Sequence, residues 1–202
     1  NICEGVVSAL LTDATFSGKP KKQVGVLEVD ERSSLKVYKY LTPDILICNN
    51  IMRDSLKRNA HTEFICYILN KQLPSSTKVV LNADDLICSG LFPNNKDRTY
   101  FGVSADRPEN GAATDEALRD IVYCPKCGAK LETEYVRYNH IGRHHCSSCG
   151  FASPKPDYDV TAINREKGTF TVTHNGVDEE YKIVNDNIIN IYNSCAVISV
   201  LH

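Results

Sequence analysis

Apolar residues fall at Cys3, Val6, Val7, Leu10 and Leu11, the i, i+3, i+4, i+7, i+8 stripe of one helix face. The spacing predicts a helix over residues 2–12. A polar turn with Gly18 and Pro20 follows. The run QVGVLEVD at 23–30 is short, β-branched and bounded by turn residues and charge, which predicts a buried strand. Residues 33–41 predict a short helix that Pro43 and Asp44 break. DILICN at 44–49 predicts a second buried strand, residues 52–73 a long helix, and TKVVLNAD at 77–84 a third strand. A short helix over 85–91 and a strand RTYFGV at 98–103 complete this half.

Strands that alternate with helical segments and read as continuous apolar runs predict an α/β fold. Its sheet is mostly parallel, with helices on both faces. Ligands of such sheets sit beyond the carboxyl ends of the strands. Two strands end in polar clusters there, Glu28-Val29-Asp30-Glu31 and Asn82-Ala83-Asp84-Asp85. Residues 104–120 are largely polar and read as a linker. Beyond position 157, alternating apolar and polar residues with turns at Lys167-Gly168 and Asn175-Gly176 predict a hairpin or three-stranded meander. Ile188, Ile191, Tyr192, Cys195 and Ile198 predict a last helix from about Asn187, capped by Asn185 or Asp186. The chain therefore divides into a first α/β part at 1–120, an insertion at 121–156, and a meander plus helix at 157–202 that completes the domain.

Composition narrows the function. The 202 residues suffice for one sizeable core, and 42% are apolar. The net charge of -2 argues against a nucleic-acid binder, which needs a clear excess of base. No apolar run approaches the roughly 20 residues of a membrane span, and no signal peptide is visible. Of nine cysteines, Cys3, Cys48, Cys66, Cys88 and Cys195 are scattered among mostly apolar neighbours. They read as free thiols acting as small buried hydrophobes, in keeping with a reducing cytoplasm.

The other four are organised. Cys124, Cys127, Cys146 and Cys149 stand as C-x2-C-x18-C-x2-C, with Gly128 and Gly150 after the pairs. Each pair forms a tight knuckle whose thiolates converge on one ion, and the glycines suit a left-handed backbone. Two knuckles complete a tetrahedral four-sulfur shell that suits zinc. A filled shell leaves no position for substrate, so the site is structural. Redox dithiols and iron are the competing readings. His140, His144 and His145 are expected to face solvent or pack on the ribbon. Around the ribbon, Lys126, Lys130, Arg137 and Arg143 offset Glu132 and Glu134, which favours stapling or protein contact over nucleic acid.

Several passages together resemble the central domain of the Mur ligases, and among them the MurT type of subunit from lipid II isoglutaminyl synthase. They are LEVDE at 27–31, NNIMRDSLKR at 49–58, VVLNADD at 79–85 with YFGV at 100–103, the ribbon passage at 138–160, and NIINIYNSCAVIS at 187–199. The resemblance covers nearly the whole chain. It implies an ATP-dependent ligase subunit that amidates the D-glutamate α-carboxyl of lipid II in peptidoglycan synthesis. It also implies Mg²⁺, a cytoplasmic setting at the membrane surface without a membrane span, and ammonia from a class I glutamine amidotransferase partner. By position, Glu28 corresponds to a Mg²⁺ or γ-phosphate-side carboxylate, and Asn190 and Asn193 to adenine contacts. Asp84 and Asp85 read as turn acids. Ser55 departs from the usual Gln or His. The phosphate-cradling loop G-x4-G-K-[ST] is absent; Gly18-Lys19 lacks both the following Ser/Thr and the preceding glycine. In the family's layout that loop precedes Asn1 and a further domain follows His202. The chain thus reads as an isolated P-loop-type central domain, not expected to hydrolyse ATP alone. The alternatives are a non-catalytic ribbon module on an α/β platform and another Mur-type amino-acid ligase; the ribbon argues against the latter.

Overall fold

The computed structural model describes residues 3–52, 62–108 and 121–202. Its elements are α1 (Cys3–Thr12), α2 (Ser34–Val37), β1 (Ile45–Cys48), α3 (Thr62–Gln72), β2 (Lys78–Asn82), α4 (Leu86–Ser89) and β3 (Arg98–Val103). They continue with β4 (Glu132–Tyr138), β5 (Ile141–His145), β6 (Tyr158–Asn164), β7 (Thr169–His174), β8 (Val177–Lys182) and α5 (Ile188–Leu201).

A six-stranded sheet runs in the order β1-β2-β3-β6-β7-β8. The first three pairings are parallel, with Cys48 beside Leu81, Asn82 beside Phe101, and Val103 beside Val160. The last two are antiparallel. The turn at Asn175-Gly176 has positive φ at both residues, as the two-residue hairpin between β7 and β8 requires. The sequence pattern therefore gave a meander of three strands joined to a parallel sheet.

Alternation along β2 divides the core. Val80 lies in a cluster with Phe101, Val103, Val160, Ile191, Tyr192 and Cys195, so α5 packs there. Val79 and Leu81 belong to a second cluster with Ile65 and Leu69 of α3 and with Leu91 and Phe92. Each fully buried side chain of this size contributes about 1.5–3 kcal/mol.

The run at 23–30 departs from expectation. It has no regular structure, and Val24 and Val26 are exposed. An apolar run becomes a strand only where a neighbour accepts its hydrogen bonds. Among the described residues nothing pairs with the outer side of β1, where Ile45 and Ile47 are also exposed. On α1 only Val6 is buried, while Val7, Leu10 and Leu11 are exposed. The helix expected at 33–41 shortens to α2. Of the helix expected at 52–73, residues 53–61 fall outside the described residues, Ser55 included, as do residues 109–120 of the linker. The cap of α5 is Asn187, whose side chain accepts from the Ile189 N–H at 2.9 Å. Asn185 instead accepts from the Asn187 N–H, and Asp186 pairs with Arg165.

The insertion is docked into this core. Strands β4 and β5 form an antiparallel hairpin with Asn139-His140 at its tip. Next to the tip, Ile141 is fully buried in the main cluster, and Tyr138 meets Tyr192 edge-on at 6.3 Å between centroids. Leu86 of α4 packs on the ribbon beside Cys124, Leu131 and Cys146.

Candidate functional site

The four cysteines converge. Their ligand atoms all lie within 4.8 Å of one another. The Cys124–Cys149 and Cys127–Cys146 sulfur separations are both 3.6 Å. A tetrahedral shell with bonds of about 2.3 Å puts sulfurs about 3.8 Å apart, whereas a disulfide would bring them to about 2.05 Å. The two knuckles repeat one design. Gly128 N–H donates to the Cys124 carbonyl and Gly150 N–H to that of Cys146. Cys124 N–H reaches Ala129 and Cys146 N–H reaches Phe151, both at 2.7 Å. Gly128 and Gly150 have φ of 75° and 72°, where a Cβ is strained. Cys124 and Cys146 are buried and Cys127 is exposed. The site therefore fits a metal ion held by four thiolates, a closed shell that braces the chain.

The histidines of the hairpin pack on it. His144 Nδ1 sits 3.1 Å from the Thr133 hydroxyl, and its Nε2 3.2 Å from the His140 carbonyl. His145 faces Glu132 at 3.1 Å. The scattered cysteines are free thiols. Burial pushes Cys66 up to about 11 and Cys195 up to about 12, and holds Cys88 well above its ordinary value. Cys66, Cys88 and Cys195 are therefore poor nucleophiles and poor ligands as they stand.

Two consecutive acids fasten the hairpin to the end of β2. Asp84 is 1% exposed. Its Oδ2 accepts from the Val103 N–H at 2.9 Å and the Tyr192 hydroxyl at 2.7 Å. Its Oδ1 accepts from Arg143 at 3.2 Å, and its carbonyl from the Gly142 N–H at 2.7 Å. Burial pushes its carboxyl above the ordinary value, against the pull of those donors. Asp85 is fully buried. Its Oδ1 caps α4 through the Ile87 and Cys88 N–H groups and lies 3.1 Å from His140 Nε2. Its Oδ2 accepts from the Ile51 N–H at 2.8 Å. The reading of both as turn acids was too narrow. They are the junction between sheet, helices and ribbon. The detectable signal was a double aspartate at the end of a buried strand together with a basic, histidine-rich hairpin.

The other expected residues separate. Asn190 and Asn193 lie one turn apart on α5 and line the same open groove of ≈ 410 Å³ with Phe170, Tyr181, Val184 and Val197. Apolar walls with a few amides suit a flat heteroaromatic ring. Glu28 lies on the irregular stretch, exposed, and is not among the residues lining that groove. Sequence reasoning missed Asn49, whose Nδ2 donates to Asn193 Oδ1 at 3.0 Å.

No family model matches the chain. It is 30% identical over 202 residues to the MurT subunit of the glutamine-hydrolysing lipid II isoglutaminyl synthase of Staphylococcus aureus (strain COL). That match takes in 100% of this chain and 44% of the relative. To the MurT subunit of Streptococcus pneumoniae (strain ATCC BAA-255 / R6) it is 28% identical over 207 residues, covering 99% of this chain and 44% of that protein. The chain thus spans less than half the length of these relatives. A pseudomurein peptide ligase type C from Methanothermus fervidus superposes with a TM-score of 0.60 and 26% identity, over 78% of this chain and 31% of that one. Sequence and fold point the same way: along its full length the chain is similar to part of MurT subunits, and its fold is similar to that of a pseudomurein peptide ligase.

Proposed function

We propose that this chain is the central, nucleotide-side part of an ATP-dependent carbon–nitrogen ligase that amidates the D-glutamate α-carboxyl of lipid II. A glutaminase partner would supply the ammonia, and the enzyme would work in the cytoplasm. The observation that carries this reading is the likeness of the whole chain to 44% of the length of MurT subunits, joined to a cluster of four cysteines placed to hold one metal ion. No helix among the described residues is long and apolar enough to cross a membrane.

In this reading Cys124, Cys127, Cys146 and Cys149 hold zinc as a structural ion. Bound ATP and Mg²⁺ would supply phosphoryl activation of the carboxyl group, leaving ADP, so that ammonia forms the amide as inorganic phosphate departs. Asn190 and Asn193 bind the adenine side in the α5 groove. Glu28 is the phosphate-side carboxylate; its exposure leaves it available to a cation or phosphate. The ribbon holds the strand ends through Asp84 and Asp85, so that α5 keeps a fixed position over the sheet.

The test uses the complete polypeptide carrying this chain, together with its glutaminase partner. With lipid II, glutamine, ATP and Mg²⁺, mass spectrometry should find the carboxyl-to-carboxamide change, and omission of ATP should abolish it. Glutamine hydrolysis without amidated product would refute the assignment. The 202-residue chain by itself should show no ATP turnover.

A further inference from the structure

A carboxamide relay runs from the end of β2 to α5. Asn82 is fully buried; its Oδ1 accepts from the Asp84 N–H and its Nδ2 donates to the Asn49 carbonyl, both at 2.9 Å. That bond fixes the backbone where the chain leaves β1. From there the Asn49 side chain reaches α5 and donates to Asn193 Oδ1 at 3.0 Å, linking positions 144 residues apart. Among the described residues the buried Asn49 Oδ1 has no hydrogen-bond partner. A buried carbonyl left unsatisfied destabilises a fold, and an apolar residue of similar shape would avoid that cost. The Asn49 side chain is therefore a poor choice for stability, and among the described residues its hydrogen bond goes to Asn193.

We propose that Asn49 is a positioning residue for nucleotide recognition: it engages the Asn193 oxygen, so that the Asn193 amide N–H₂ is presented to the groove as a fixed donor for a ring-nitrogen acceptor of a purine. This rests on the reading of α5 as the adenine-side helix. With its oxygen engaged, Asn193 cannot turn its acceptor toward the groove without breaking the bond to Asn49. Side-chain amides pair with adenine edges by this donor–acceptor geometry. The half-buried Asn193 lies at the groove wall with Asn190, so the relay acts on the residue that faces ligand and does not itself enter the groove.

The experiment is steady-state kinetics of the complete ligase with its glutaminase partner, with ATP as the varied substrate and thermal unfolding measured alongside. Asn49→Leu should raise the KM for ATP about fivefold to tenfold, the loss of one oriented hydrogen bond. It should leave kcat within about twofold and not lower the melting temperature. Asn49→Thr keeps a hydroxyl donor and should restore most of the affinity. Asn193→Ala should match Asn49→Leu, and the double variant should be no worse than Asn193→Ala alone. If Asn193→Ala raises KM and Asn49→Leu does not, the positioning role is wrong. If Asn49→Leu lowers stability along with affinity and Thr fails to restore it, or if the two losses add, Asn49 is structural and the proposal falls. If Asn193→Ala itself leaves the KM unchanged, the adenine reading of α5 fails instead.

Discussion

Arg143 in the ribbon and Asp84 at the end of β2 stand 59 residues apart in the chain and 3.2 Å apart in space. The same guanidinium donates to the Ser153 and Pro154 carbonyls at 3.1 and 3.0 Å. One side chain thereby holds the exit of the ribbon and its dock on the sheet. Arg143→Ala should destabilise by about 3 kcal/mol, because it strands a buried carboxylate. Lysine should not rescue it, having no planar fork to reach three acceptors.

The pH dependence of that deficit follows from Asp84. Burial raises its carboxyl above the unfolded value, and its neighbours are Arg143, Tyr192 and Tyr135. The native state holds this proton more tightly than the unfolded chain. Stability from this group is therefore full below the unfolded value near 3.8 and is lost as pH rises through the folded one. Removing Arg143 raises the folded value further. The gap between wild type and Arg143→Ala should be small in acid and widen as pH rises, read by denaturant unfolding at a series of pH values. A gap that does not change with pH would contradict the pairing.

At the alkaline end the tyrosines act in the same sense. Burial pushes Tyr38, Tyr135 and Tyr138 up to about 12 and holds Tyr192 well above its ordinary value. Their folded values exceed the unfolded value of 10.0, so stability declines as pH climbs from 10 toward 12. Phenolate absorbance should show these rings ionising together with loss of structure.

Removal of the metal gives a third outcome. The purified protein should carry one zinc per chain by elemental analysis. Cys146→Ser should lose it and destabilise by several kcal/mol, a fall in Tm on the order of 10 °C. Because Ile141 lies in the main core and Leu86 of α4 packs into the ribbon cluster, the loss should broaden or lower the main unfolding transition. An unchanged transition would mean that the ribbon folds apart.

Gly142 offers a local test. A Cβ there would lie 2.0 Å from the Tyr135 carbonyl oxygen, a backbone atom. Gly142→Ala must part the hairpin strands and weaken the Gly142–Asp84 bond. It should cost about 3 kcal/mol or more, measured by denaturant unfolding.

How much of this was legible depended on the range of the signal. The cysteine knuckles are local, so spacing and two glycines sufficed to assign the cluster. RTYFGV at 98–103 became β3 with the same bounds, since a central strand is buried on both faces. QVGVLEVD reads equally well as a strand, yet its partner is a matter of neighbours that local pattern does not encode. Asp84 with Arg143 and Asn49 with Asn193 follow no period. They arise where the ends of distant strands meet, which only the assembled sheet brings together. Glu28, drawn from the resemblance, sits on that irregular stretch and is not among the residues lining the α5 groove.

Asp84 and Asp85 are adjacent but serve different neighbourhoods, one holding α5, β3 and Arg143, the other α4, Ile51 and His140. A single residue inserted or deleted between β2 and α4 would take both acids out of these neighbourhoods at a stroke. The spacing of this turn is consequently fixed by geometry, and length variation in descendants of this chain should accumulate elsewhere, in surface connections such as the β6–β7 turn.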